Sequence, residues 1–347
     1  MPSSSAPARP PQRPRATGRV TLADVATLAG VSPITVSRAL RGEPTVDPTL
    51  VERVKQAAAE LHYMPDPAAR ALASRHSSHV AVLIPMLSNA LFVDLLEAVQ
   101  RTLRPAGYQT LIGITHYSAD EEEQLLREQL LHRPAGLLVT GTDQNPRTRE
   151  MMDRSGVPCV HLMELCEDPH RYSVGFSQRD AGEAITRHLL ARGRRRIAFV
   201  AAQLDPRTLQ RAEGYRRALQ GAGLHDPALE LLSTQPSSME LGGKLFERLL
   251  HDHPDCDAVF FCNDDLAQGG LLAALRLGVR VPERVAVAGF NDLSGSDQMI
   301  PPLSTVTTPR SAIGEAAARM LLGLMRGEPP RQHCVDLGFE LRPRQST

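Results

Sequence analysis

No run of about 18 apolar residues occurs in the 347-residue sequence, so no segment is expected to span a membrane. Residues 1–18, MPSSSAPARPPQRPRATG, are rich in Pro, Ser and Arg. They cannot bury a core and lack the apolar centre of a signal peptide, so they read as a disordered arm. Cysteine is sparse: the five residues Cys159, Cys166, Cys256, Cys262 and Cys334 are scattered and never spaced C-x-x-C. That argues against a zinc site or a disulfide frame and fits a reducing cytoplasm. The motifs G-x-x-x-x-G-K-[ST], H-E-x-x-H and G-x-S-x-G are missing, so neither an enzyme nor a cofactor is expected. His251 to Cys256 crowds possible metal ligands, but it lies between a helix end and a strand, where polar loops are ordinary, and no metal is expected. The acidic run Asp120 to Glu123 opens a helix, where the macrodipole favours it.

There is no net charge, since 39 Lys and Arg balance 39 Asp and Glu. The balance is uneven along the chain: residues 1–75 hold ten Lys and Arg against six Asp and Glu, and the remainder holds 29 against 33. A basic excess this small suits binding that depends on a paired, specific site more than on bulk attraction to phosphate.

What is present begins at TLADVATLAGVSPITVSRALR, residues 21–41. Thr21 stands where an N-cap belongs, with Asp24 three positions on, and Gly30 permits the left-handed turn that ends a first helix. Ser32 caps a second helix whose first position is Pro33, where a missing N–H costs nothing. Thr35, Ser37, Arg38 and Arg41 lie on its outer face, suited to phosphates and base edges, while Val36 and Leu40 point back at the first helix. Ile34 can meet a thymine methyl and Arg38 can fork onto a guanine. A third helix starts at Asp47 and Pro48, completing a three-helix unit for double-stranded DNA.

From residue 79 short apolar runs (HVAVLIP, YQTLIGIT, AGLLVTGT, PCVHLME, RRIAFVAA, AVFFCND, RVAVAGFND) alternate with stretches long enough for helices. Continuous apolar strands between helices imply parallel sheets covered on both faces. There are too many units for one small sheet, and a break near residue 175 makes two doubly wound halves. Ligands in such folds bind at the C-terminal strand ends, so two facing halves form a cleft.

The segment VTLADVATLAGVSPITVSRALRG through LHYMPDPAARALA resembles the DNA-binding headpiece and hinge of the lactose-repressor family. The turn at Asn263–Gly269, the strand VAVAGFND ending at Asp292, and PPLSTV at 301–306 are similar to that family's periplasmic-binding-protein-like sensor. At closer range NALFVDLLEAVQ, GYQTLI, GTDQNPRT, DPRTLQRAEGY, FCNDDLAQG and DLGFELRP look like the gluconate-utilisation repressors within it. The resemblance implies an arm (1–18), an all-α helix-turn-helix headpiece (19–64), a hinge (65–76) and an α/β sensor of two doubly wound parallel-sheet subdomains (77–347). The first subdomain would hold about 77–174 and 305–327, the second 175–304 and 328–347.

It further implies that Thr21, Ser32, Pro33, Ile34, Thr35, Ser37, Arg38 and Arg41 face DNA, and that Leu72, with Ala73 beside it, is levered into the minor groove. The sensor cleft would be lined by Leu91, Phe92, Glu164, Arg211, Asn263, Asn291 and Asp292. Arg211, flanked by Arg207 and Arg217, suits the carboxylate of a sugar acid, the other reading being a solvated helix arginine. Many sugar-sensing relatives carry aspartate at position 291, and the amide of Asn291 removes a repulsion for an anion. These features describe a repressor that binds a pseudo-palindromic operator as a homodimer, with a small effector opposing DNA by reciprocal coupling. The last strand is followed by RQST alone, so no leucine heptad for a tetramer is expected. The alternatives are a regulator that answers a different sugar, and a soluble sugar-binding or sugar-processing protein whose N-terminal helices are an appendage.

Overall fold

The computed structural model describes residues 20–64, 77–87, 90–166 and 168–347. Contacts divide the chain into two compact units, Met1–His76 and Ser77–Thr347.

The first unit holds helices α1 (Leu22–Ala29), α2 (Pro33–Leu40) and α3 (Pro48–Glu60). Each starts where a side chain can satisfy a free backbone N–H. Thr21 and Asp24 form a reciprocal capping box, Ser32 accepts from Thr35 N at 3.2 Å, and Asp47 accepts from Thr49 N at 2.8 Å. Gly30 ends α1 at φ 62°, as its place in the sequence implies. The core is made of small residues, with Val25, Val36 and Val54 at its centre among Ala26, Ala29, Ala39 and Ala57. Short side chains let the three helices approach closely. Leu28 of α1 faces solvent, 46% exposed.

In the second unit the first half contains β1 (His79–Ile84), α4 (Leu91–Leu103), β2 (Gln109–Ile114), α5 (Ala119–Leu131), β3 (Gly136–Thr140), α6 (Pro146–Ser155), β4 (Cys159–Leu162) and β5 (Tyr172–Gly175). The second half contains α7 (Gln178–Ala191), β6 (Ile197–Ala201), α8 (Pro206–Gly221), β7 (Glu230–Leu232), α9 (Met239–Asp252), β8 (Ala258–Phe261), α10 (Asp264–Leu277) and β9 (Ala286–Ala288). After these come β10 (Thr305–Thr307), α11 (Arg310–Met325), β11 (Cys334–Asp336) and β12 (Glu340–Arg342). The strands form a six-stranded sheet in the order β11-β5-β4-β3-β1-β2 and a four-stranded sheet in the order β7-β6-β8-β9; β10 and β12 pair antiparallel. Both larger sheets are parallel, and their central strands are buried on both faces, which is why they read as unbroken apolar runs.

The return of the chain corrects one expectation. Residues 328–347 do not all belong to the second half, because β11 pairs with β5 at the edge of the first sheet. The chain then returns: Ser346 Oγ donates to Val287 O at 2.6 Å and accepts from Ser304 N at 2.8 Å, tying the end of the chain to β9. Three-residue strands such as β7 and β11 carry too little pattern to stand out in the sequence.

Helices α7 and α8 cross in close contact through two glycines. A Cβ on Gly182 would lie 2.5 Å from Arg211 O, and one on Gly214 would collide with Arg179 O. Only backbone without a side chain fits such a crossing. We expect Gly214→Ala to lower unfolding free energy by about 1–3 kcal/mol through overpacking, read from the urea midpoint of the full chain. An unchanged midpoint would show that the helices separate without cost.

Candidate functional site

Helix α8 begins beneath the cleft between the two halves of the sensor. Asp205 caps it, accepting from Arg207 N at 3.1 Å and from Thr208 Oγ1 at 2.9 Å. A spacing of four places Arg207 and Arg211 on one helical face, and both are buried. Arg217, six residues after Arg211, falls on the opposite side. It is 62% exposed and pairs with Glu183 at 3.3 Å, so it does not join the cationic patch expected from the sequence.

Arg211 is held from three directions. Its Nε donates to Gln178 Oε1 at 2.8 Å, its NH1 donates to Cys262 O at 2.7 Å, and the guanidinium lies 4.0 Å above the centroid of the Phe290 ring. It is 5% exposed, and among the described residues no carboxylate stands within 4.0 Å of it. Burial pushes its pKa down, the usual response of a desolvated cation. Arg207 differs: burial opposes its charge, but Asp205, 3.1 Å from its Nε, together with Glu164 outweighs that and holds the pKa above the usual value. Glu164 accepts from Thr142 N at 2.9 Å and from Gln210 Nε2 at 3.4 Å. Burial raises its pKa in spite of Arg207.

Leu91, Phe92, Arg211, Asn263 and Asn291 meet around one cavity of about 60 Å³. Tyr117, Gln203, Asp205 and Ser237 line it as well and were not anticipated. Asn263 caps α10, accepting from Leu266 N at 3.0 Å, and donates to Ser237 Oγ at 2.8 Å. Asn291 is 2% exposed, and its Oδ1 has no hydrogen-bond partner among the described residues. Glu164 stands behind the wall, next to Arg207. Asp292 turns away, its carboxylate accepting from Arg344 NH2 and Thr307 Oγ1, each at 2.8 Å. The structure thus uses Asp292 to fasten β10 and the chain end, and does not present it to the cleft.

Tyr117, Met163, Gln203 and Asn291 all have positive φ without being glycine, and each lies just beyond the end of a strand. Such backbone costs about 1–3 kcal/mol per residue and gathers at functional sites. The strand-end rule could have pointed to Tyr117, Gln203 and Ser237, but no residue type there signals a ligand by itself. Beside the cavity a half-buried Glu122 is raised to about 7, mainly by desolvation, with Gln144 Nε2 at 3.4 Å opposing.

In the first unit Ser32, Pro33, Ile34, Arg38 and Arg41 are exposed on or beside α2, Ile34 at 66%, and Thr35 and Ser37 are half-buried. Ser32 and Thr35 also bond to each other at 2.9 Å, and Thr21 donates to Asp24 at 2.8 Å, so these three serve the caps first. Glu43, unremarked in the sequence, lies 3.0 Å from Arg41 and 3.6 Å from Arg38. Leu72 and Ala73 lie outside the described residues. Among the described residues no helix is long and apolar enough to cross a membrane, and no group of three or more His, Cys, Asp or Glu is placed to hold a metal.

Residues 21–66 match bacterial regulatory proteins of the lacI family, and residues 186–347 match the periplasmic binding protein-like domain. The chain is 57% identical over 333 residues to the HTH-type transcriptional regulator GntR of Pseudomonas aeruginosa, covering 96% of this chain and 97% of that one. It is similar to the crystal structure of transcription regulator GntR from Chromobacterium violaceum, at 51% identity and TM-score 0.76, covering 77% of this chain and 98% of the other. It is also similar to the lac repressor dimer bound to operator and the anti-inducer ONPF, at 25% identity and TM-score 0.84, covering 95% and 99%. With near-complete coverage at such identity, the chain belongs to the lacI family of bacterial transcriptional regulators.

Proposed function

We propose that this protein is a repressor whose grip on an operator is released by a sugar acid, gluconate or a near relative, bound in the sensor cleft. The observation that carries the reading is Arg211: a buried guanidinium, fixed in place, with no carboxylate partner among the described residues. A buried charge without a counter-ion is costly, and an anionic ligand supplies the missing partner. Asn291 supports the hydroxylated character of that ligand, because its buried Oδ1 lacks a donor and a hydroxyl group can provide one. Relatives named HTH-type transcriptional regulator GntR support the reading as a transcriptional regulator.

The protein works without catalysis: ligand closes the cleft, and the closed sensor disfavours DNA by reciprocal coupling. It acts in the cytoplasm as a homodimer joined through its sensor domains, with two headpieces on a pseudo-palindromic operator. Exposed Leu272 and Leu275 on α10 offer apolar surface for such an interface.

Arg211→Ala should retain operator binding yet lose release by gluconate. Truncating one member of a desolvated charge pair costs roughly 2–5 kcal/mol. Calorimetry with gluconate and glucose, alongside anisotropy on the operator, checks this; glucose binding as tightly as gluconate would refute the sugar-acid reading.

Arg38→Ala should weaken operator binding by about 1–3 kcal/mol and relax preference at one base pair per half-site. Competition against duplexes altered one pair at a time is the measurement, and equal loss on operator and random DNA would reassign Arg38 to phosphate contact.

A further inference from the structure

The space around Arg211, about 60 Å³, has room for roughly four or five water molecules, enough for a carboxylate and its neighbouring carbon but not for a six-carbon chain. A second cavity of about 320 Å³ opens beside it, and Tyr117, Gln203, Asp205 and Arg207 wall both. A ligand anchored at Arg211 therefore has one obvious direction in which to extend, past Arg207 and toward the first half of the sensor.

The rest of that second cavity's lining is of different chemistry. Glu122 from α5 and Asp143 from the loop after β3 line it, together with Ser118 and Thr115. Among the described residues neither carboxyl has a cation within 4.0 Å, and the hydrogen bond at the Glu122 carboxyl is the 3.4 Å contact from Gln144 Nε2. A second anion is a poor match for this wall, and so is a bare alkyl chain. Carboxylates take hydrogen bonds and give none when ionised, as Glu122, raised to about 7 by burial, is in part at neutral pH and fully in mild alkali, so this lining matches groups that donate, of which the hydroxyls of a sugar chain are the uncharged kind.

Building on the sugar-acid reading, we propose that the second cavity is the polyol end of the site, where Glu122 and Asp143 accept hydrogen bonds from hydroxyls distal to the carboxylate. The two cavities together then measure the ligand: an acid at one end, several carbons bearing hydroxyls, and acceptors at the other. Short hydroxy acids reach Arg211 but not Glu122. Unhydroxylated acids reach both but leave the carboxyls without donors, and a site built to hydrogen-bond a substrate rejects an analogue that lacks the group.

The test is calorimetry of the full chain at about pH 8.5, above the raised pKa of Glu122, with gluconate, glycerate and hexanoate, on the unaltered protein, Glu122→Gln, Asp143→Asn and Arg211→Ala. Gluconate should bind at least tenfold more tightly than glycerate or hexanoate. Glu122→Gln and Asp143→Asn should each weaken gluconate about five- to tenfold, the difference between a charged and a neutral hydrogen bond, and leave glycerate unchanged. Arg211→Ala should weaken gluconate and glycerate alike. Operator binding by each variant, measured in parallel, reports that it is folded. Gluconate affinity untouched by both carboxyl changes, while Arg211→Ala still abolishes it, overturns the polyol end and leaves the anchor standing. Failure of gluconate to bind the unaltered protein removes the anchor and the proposal together.

Discussion

Gln178 holds the sensor's two halves and Arg211 in one chain of hydrogen bonds, and the cleft depends on it. It is fully buried at the start of α7; its Nε2 donates to Met163 O, just beyond β4 of the first sheet, at 3.1 Å, and its Oε1 accepts from Arg211 of the second half at 2.8 Å. An amide can donate and accept at once, which a carboxylate or an alkyl chain cannot do. With Cys262 O taking a second proton of Arg211 and Phe290 lying under the guanidinium plane, the cation is oriented before any ligand arrives. Orientation in advance lowers the cost of ordering the site on binding.

That arrangement needs two helices in near contact. Gly182 and Gly214 remove the side chains that would hold α7 and α8 apart, and Arg211 lies at the crossing itself. A similar tie joins the opposite wall. Arg310, at the start of α11, is 3.0 Å from Asp94 of α4 through its Nε and donates to the backbone oxygen of Asn291. The helix carrying Leu91 and Phe92 is thereby linked to the strained loop that carries Asn291. Asp264 steadies that loop further, accepting from Leu293 N at 2.7 Å, Ser296 Oγ at 2.9 Å and Thr305 Oγ1 at 2.7 Å. Burial nonetheless raises its carboxyl to about 7, against the pull of these three hydrogen bonds.

The headpiece and the sensor differ in how a ligand group is prepared. In the sensor Arg211 is buried with no carboxylate within 4.0 Å among the described residues, and in the proposed reading an anionic ligand supplies its counter-ion. On α2, Arg38 and Arg41 are exposed and already share Glu43, an ion pair of the kind that contributes about 0–1 kcal/mol and is readily exchanged for phosphate or a base edge. In that reading affinity for an anion in the cleft is set by desolvation, whereas at a DNA surface it is set by complementary shape and by the number of contacts made together.

Much of this was legible in the chain. Thr21, Gly30, Ser32, Pro33 and Asp47 mark the headpiece helices because capping is a local matter between residues two to four apart. The apolar runs of β1, β3, β4, β6 and β8 mark a parallel sheet for the same reason: burial on both faces leaves no polar alternation to write. The spacing of Arg207 and Arg211 sets them on one face of α8. What the sequence could not determine is which of several arginines is buried, since Arg217 is the same residue type six positions on and lies in solvent. Nor could it show that Asp292 would be taken by Arg344, 52 residues away, or that β11 would cross back to the first sheet. Tertiary structure decided these, because desolvation and long-range pairing depend on what packs against a side chain, and that is a property of the folded chain alone.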